Sequence, residues 1–232
     1  MLLLSIDTST KVCSVALHQN HQLLACYELL AEKSHSGMLT SLVSNIVENA
    51  GFELQNLDAV AVAKGPGSYT GLRIGVSTAK GLCYALDKPL LAVNTLEAMA
   101  YQLKDFFDDS YMLCSMIDAR RMEVYCALFR PQNDVLIPVG TTEAKIIDEN
   151  SFQEHLVTNK LVFFGDGAAK CENILNHNQA IFPKINIYPS AKTVGFLASY
   201  LLENGQTEDL SSFEPYYLKD FYVPVAKPKV LP

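Results

Sequence analysis

The sequence lacks any excess of basic residues: Lys and Arg total 18 against 25 Asp and Glu, for a formal charge of −7 and an isoelectric point near 5.2. Phosphate binding asks for a basic face, which excludes a chain that grips nucleic acid unaided. Cysteine pairs are missing as well. Cys13, Cys26, Cys83, Cys114, Cys126 and Cys171 are scattered, with no C-x-x-C, and most sit inside apolar runs. That spacing fits neither a disulfide framework nor a zinc site, and small buried thiols in a reducing cytoplasm are expected. Long hydrophobic runs are also lacking. The apolar start Met1–Leu4 is too short for a signal or a membrane span and is interrupted at Asp7, so a cytoplasmic protein without membrane association is expected.

Histidine chemistry is thin. None of the five histidines lies four residues from another, and H-E-x-x-H does not occur. A metal site built on one helix face is therefore not expected. His18 and His21, spaced H-x-x-H, flank the polar segment Gln19–Gln22 and read as solvated turn histidines. What is present is the composition of a folded globule: 49% hydrophobic and 19% charged over 232 residues, enough to bury a real core and too apolar for disorder.

The order of elements repeats. Strands are expected at Met1–Asp7, Val12–His18 and Leu23–Leu30, followed by a helix over Ser34–Ala50, a strand at Asp58–Ala63 and a helix from Thr70 to Leu86. Strand Pro89–Val93 and helix Thr95–Leu103 close the first set. The second set opens alike, with strands at Tyr111–Asp118, Glu123–Phe129 and Asp134–Val139 and a helix near Asp148–Leu156. Strand Leu161–Phe164, a Gly165–Asp166–Gly167 turn, a helix near Ala168–Asn176, strand Ile185–Tyr188 and helix Thr193–Glu203 follow. Two tandem βββαβα units, an α/β chain of actin-like ATPase (ribonuclease H-like) architecture facing a cleft, are the fold this order predicts. The units are placed at residues 1–105 and 106–212, with a tail over 213–232 that packs back loosely and frays.

Between a strand and a helix lies Gly65-Pro-Gly-Ser-Tyr-Thr-Gly-Leu-Arg-Ile-Gly75. Free amides at a helix start form an anion site, yet no G-K-[ST] and no G-x-G-x-x-G is present, and a tight turn that permits close packing serves equally. Asp7 and Asp118 end the first strand of each unit, where such carboxylates position Mg²⁺ and phosphates or simply cap turns. Asp7, Thr8, Ser9, Asp118, Gly165, Asp166 and Gly167 are the candidate nucleotide residues. The Thr8–Lys11 turn has no glycine to wrap a phosphate, which speaks against self-sufficient ATP hydrolysis.

The glycine segment, with Ile6-Asp7-Thr8-Ser9 before it and Asp118-Ala-Arg120, Glu123-Val-Tyr125, Gly165-Asp-Gly-Ala168 and Pro215-x-Tyr217-Leu218 after it, resembles the TsaB (YeaZ) family of the glycoprotease-like superfamily. The resemblance spans nearly the whole chain. It implies the actin-like fold and a role in making N6-threonylcarbamoyladenosine in tRNA. It also implies a non-catalytic subunit that pairs with a TsaD-like transferase, with a TsaE-like ATPase completing the assembly and tRNA met only through the complex. A homodimer when the chain is alone, and ATP or ADP at the partner interface, are left open by it. A stand-alone ATP-dependent kinase of this fold is the alternative, and a metallopeptidase is less favoured still for want of the histidine pair.

The helix after the glycine segment carries only Arg73 and Lys80 as charges, so it is expected to be covered on two sides. Gly71, Gly75 and Ala79 recur every four residues and would let a partner helix approach. With Met38, Leu39, Leu42 and Ile46 of the preceding helix they form the expected partner face, Arg73 and Lys80 reaching acidic groups across it.

Overall fold

The computed structural model describes residues 1–30, 35–133 and 135–219; the expected helix start at Ser34, the strand start at Asp134 and the tail beyond 219 lie outside the described residues. In the first half, β1 (Leu2–Asp7), β2 (Val12–Gln19) and β3 (Gln22–Leu30) form an antiparallel meander. Then come α1 (His35–Asn49), β4 (Ala59–Gly65), α2 (Tyr69–Leu86), β5 (Leu90–Asn94) and α3 (Thr95–Tyr101). The second half repeats this with β6 (Tyr111–Asp118), β7 (Glu123–Gln132), β8 (Val135–Ile146), α4 (Gln153–Leu156), β9 (Lys160–Phe164), β10 (Ala180–Ile181) and α5 (Ala191–Glu203).

The two sheets have one topology. The first runs β3-β2-β1-β4-β5 and the second β8-β7-β6-β9-β10, each with its fourth strand parallel to its first. This is the actin-like plan the repeat predicts. Helices cover both faces of the first sheet, so β1 and β4 are largely apolar and buried, with Ser5 and Asp7 the polar residues of β1 and Lys64 of β4 half-exposed. Leu4, Ile6, Val60 and Val62 pack on one face against α1 and α2. Leu3, Ala59, Ala61 and Ala63 pack on the other against α3 and α5.

The last helix of each half lies between the sheets. Leu96, Met99 and Ala100 of α3 pack on Leu113, Ile117 and Phe129 of the second sheet. Val194 and Ala198 of α5 pack on the first. Beneath α5 the first sheet is polar: Ser5 Oγ donates to the Ala191 carbonyl at 2.8 Å, and the Ala191 amide donates to Ser14 Oγ at 2.8 Å. His18 lies there fully buried, edge-on to Phe196 and pressed against Gly195, where a Cβ would overlap its ring. This corrects the expectation of solvated histidines: α5 arrives from a distant part of the chain to cover His18, while His21 pairs with Glu203 at 2.6 Å.

Three elements also differ from expectation. Over 168–176 there is one 3-10 turn, Ala169–Cys171, because Asn173 and Asn176 favour local turns over helix and the amides of Cys171 and Ile174 bond three residues back. Residues 185–188 form no strand. Pro183 and Pro189 bracket them without donors, Ile187 packs on the second core, and the Tyr188 carbonyl accepts from Gln102 instead. The helix near 148–156 shrinks to α4 because Asp148 bonds the amide of Asn150 and the hydroxyl of Ser151, making a turn first. Among the described residues no helix is long and apolar enough to cross a membrane.

Candidate functional site

Asp7 ends β1 and is 1% exposed. Its Oδ1 accepts from the Ser9 amide at 2.8 Å and the Ser9 hydroxyl at 2.6 Å, whereas Oδ2 has no partner among the described residues. Burial lifts its pKa to about 6, against the two Ser9 bonds and with a smaller push from Glu28.

The glycine segment lies directly on this turn. A side chain at Gly67 would overlap the Ser9 carbonyl, one at Gly71 the Thr8 carbonyl, and one at Gly75 the Thr8 hydroxyl. Thr8 Oγ1 donates to the Gly71 carbonyl at 2.7 Å, and the Ser68 amide donates to the Ser9 carbonyl at 2.6 Å. Ser68 caps α2, its Oγ accepting from the Gly71 amide and its carbonyl from the Leu72 amide. The amides of Ser68, Gly71 and Leu72 thus have partners within the chain, and the glycines serve backbone-to-backbone packing. Those three amides are therefore not open to a phosphate.

Asp118 occupies the equivalent strand end in the second half and is exposed. Its Oδ1 accepts from the Arg120 amide at 2.8 Å and from Lys170 Nζ, and its own amide donates to Asp166 Oδ1 at 3.0 Å. Lys170 also donates to the carbonyls of Arg121 at 2.8 Å and Glu123 at 2.7 Å. Gly165, at φ +101°, and Gly167 press on β6, where a Cβ at Gly165 would overlap the Met116 carbonyl. Burial raises the Asp166 pKa, the Asp118 charge adding to it while the Asp118 amide, Lys11 and Lys170 hold it down. The structure brings Asp118, Asp166 and the 165–167 turn together and Asp7, Thr8 and Ser9 together. No hydrogen bond or ion pair joins Asp7 to Asp118 among the described residues.

The expected partner face divides. Leu39, Ile46, Gly71, Gly75 and Ala79 are closed inside the subunit against its own sheet and the Thr8 turn, which corrects their assignment to a surface notch. Met38 and Leu42 remain partly exposed. Arg73 and Lys80 are engaged by this chain's own tail, which corrects their expected reach across an interface. Lys80 Nζ donates to the Phe213 carbonyl at 2.9 Å, and Arg73 Nε donates to Tyr217 Oη at 3.3 Å while its guanidinium lies 4.4 Å from the Tyr69 ring centre.

The tail itself packs as a strap up to residue 219. The Glu208 amide donates to the Leu90 carbonyl at the edge of the first sheet, the Tyr216 amide to the Lys64 carbonyl at 2.7 Å, and Lys219 pairs with Glu123 of the second half. A Cβ at Gly65 would meet the Tyr216 carbonyl at 2.8 Å. Lys64, Glu208, Glu214 and Tyr216 line an open groove of about 600 Å³ beside it.

A family model described as TsaD, tRNA N6-adenosine threonylcarbamoyltransferase, matches residues 29–227. A tRNA threonylcarbamoyladenosine biosynthesis protein TsaB of Bacillus subtilis is 38% identical over 59% of the chain, a match that spans 58% of that relative. The protein of the same description from Buchnera aphidicola subsp. Schizaphis graminum is 30% identical over 91% of the chain and 99% of its own length. The chain belongs to this family, and within it to the TsaB proteins. A Pseudomonas aeruginosa crystal structure described as similar to the peptidase YeaZ superposes with a TM-score of 0.83 at 27% identity, covering 94% of this chain and 99% of that one. In this TsaB chain no group of three or more His, Cys, Asp and Glu side chains able to hold a metal ion occurs among the described residues. The six cysteines are unpaired, and burial pushes the thiols of Cys13, Cys26 and Cys83 up to about 11 and Cys126 to about 12, so at neutral pH they stay protonated.

What the sequence missed in this TsaB chain is the other side of α2. Ile74, Thr78 and Leu82 are half-exposed, Ser77, Gly81 and Ala85 are exposed, and Tyr84 is 83% exposed. A Cβ at Gly81 would meet nothing within 4 Å. The helix has two small-residue stripes, and Ser77 stands about 200° round from Gly75 at 3.6 residues per turn. The signal was readable as a second four-residue spacing, Ser77–Gly81–Ala85.

Proposed function

We propose that the chain serves tRNA threonylcarbamoyladenosine biosynthesis, the process its family is named for, as an accessory subunit that docks a TsaD-like transferase through the outer face of α1 and α2. The observation that carries this is an uncharged strip on two adjacent helices, with Gly81 and Tyr84 exposed and Met38, Leu42, Ile74 and Leu82 half-exposed beside them. The occupant follows from homology between the partners. The chain matches the transferase family's own model over residues 29–227, so a transferase carries a counterpart of these helices and pairs with them nearly as a second copy would. When no transferase is present, a second copy of this chain takes the same face. A TsaE-like ATPase joins the assembled pair, and tRNA is met through the complex.

The contribution to chemistry is indirect. The amides of Ser68, Gly71 and Leu72 and the Oδ1 atoms of Asp7 and Asp118 are already bonded within the chain, which supports a role in holding the transferase rather than in transferring a group. Gly81→Arg should abolish co-elution with the transferase while the monomer unfolds cooperatively at its usual midpoint. Retained co-elution overturns the docking face. Full-rate modification by transferase and ATPase without this chain overturns the accessory role.

A further inference from the structure

The loop joining β6 to β7 holds two consecutive non-glycine residues in the left-handed region, Arg120 at φ +71° and Arg121 at φ +50°. Arginine is an expensive choice there, because its Cβ crowds the backbone where Gly or Asn would not. The loop is nevertheless pinned. The Ala119 amide donates to the Glu123 carbonyl and the Glu123 amide to the Arg120 carbonyl. Asp118 holds the Arg120 amide, and Lys170 directs its three donors at Asp118 and the carbonyls of Arg121 and Glu123. Strain maintained this firmly marks a side chain wanted in that place.

The chain has four arginines. Arg73 is stacked on Tyr69 and bonded to Tyr217, and Arg130 donates to the Asp109 carbonyl and to Asn159. Arg120 and Arg121 are exposed, and among the described residues neither guanidinium has a hydrogen-bond or ion-pair partner. The nearby carboxylates do not answer them: Asp118 is paired with Lys170 and Glu123 with Lys219. With Lys11 close enough to act on Asp166, the rim of this turn is locally cationic on an acidic protein.

We propose that Arg120 and Arg121 form a phosphate-gripping prong that contacts the RNA backbone of the tRNA when the chain is assembled with its transferase; this rests on the functional reading above. Adjacent guanidinium forks on a rigid loop suit phosphodiester oxygens, which accept bidentate bonds from arginine. Two such contacts are too few to bind RNA alone, as the overall negative charge requires, but sufficient to orient RNA already held by a partner.

The test uses the full chain mixed with its transferase and an in-vitro-transcribed, unmodified tRNA. The double variant Arg120→Asn with Arg121→Gly installs residues that adopt positive φ readily, so folding is preserved or improved. Co-elution is recorded first, then tRNA affinity at several salt concentrations. The variant complex should still co-elute, bind tRNA roughly tenfold or more weakly, and show a shallower dependence of log affinity on log salt, by about one to two units. Unchanged affinity and slope overturn the proposal. Loss of co-elution by the variant alone also overturns it, since the arginines would then contact protein. Failure of the unaltered chain to co-elute refutes the docking reading instead, and the prong with it.

Discussion

Asp7 and His18 sit two strands' ends apart on the first sheet, both buried, and they respond to acid in opposite directions. Burial holds the His18 imidazole down at about 4, the Lys192 main chain opposing it weakly, so stability it supplies above pH 6.5 is lost as the pH falls toward 4. Asp7, raised to about 6, behaves in reverse: protonation removes a buried charge, and folding gains as the pH falls from about 6 toward 3.8. Each effect is on the order of 3 kcal/mol, and they largely offset one another. Relative to the unaltered protein, Asp7→Asn should steepen the loss of stability between pH 6.5 and 4. His18→Gln should instead flatten it or turn it into a gain. Urea midpoints at pH 7, 6, 5 and 4 check both, and parallel curves for all three proteins would mean the two groups titrate normally.

Helix α2 shows how one element carries two interfaces. Gly71→Ala drives a methyl into the Thr8 carbonyl and should cost about 2 kcal/mol or more. Gly81→Ala meets open space and should stabilise the monomer by about 0.5–1 kcal/mol through helix propensity, which denaturant melts of the two variants will separate. From sequence, the four-residue spacing of Gly71, Gly75 and Ala79 was visible but its direction was not, because periodicity says that a face is small without saying what covers it. The strands and the repeat were legible, since β1 and β6 are apolar runs each ending at Asp. Residues 168–176 and 185–188 were not, because their conformation is decided by Asn side chains, flanking prolines and packing on a core formed elsewhere. His18 was misplaced for the same reason: its cover, α5, is more than 170 residues away in sequence. Of the candidate site, Asp118 was legible as the repeat of Asp7 and Tyr217 only as part of the Pro215-x-Tyr217-Leu218 resemblance, whereas the partnership of Asp118 with Asp166 and Lys170 and the docking of Tyr216 on Lys64 carried no sequence pattern.

At the scale of the whole molecule, the strap and the two central helices set how the halves depend on each other. The strap ties the edge of the first sheet to Lys64 and then, through Lys219, to β7. That exposed ion pair adds little by itself, so the dependence comes from apolar surface instead. A polypeptide severed in the exposed connection between Asp108 and Asp109 would leave the amino-terminal fragment without α5 over His18, and the carboxyl-terminal fragment without Leu96, Met99 and Ala100 over Phe129. Neither fragment should be soluble and ordered when expressed singly, while co-expression should restore a complex with a native circular dichroism spectrum. Should either piece fold in isolation, the shared core is not what joins them. A gene split between the two halves would therefore leave neither product self-sufficient: the final helix of each half covers the other's sheet, which makes the pair heritable only as a unit.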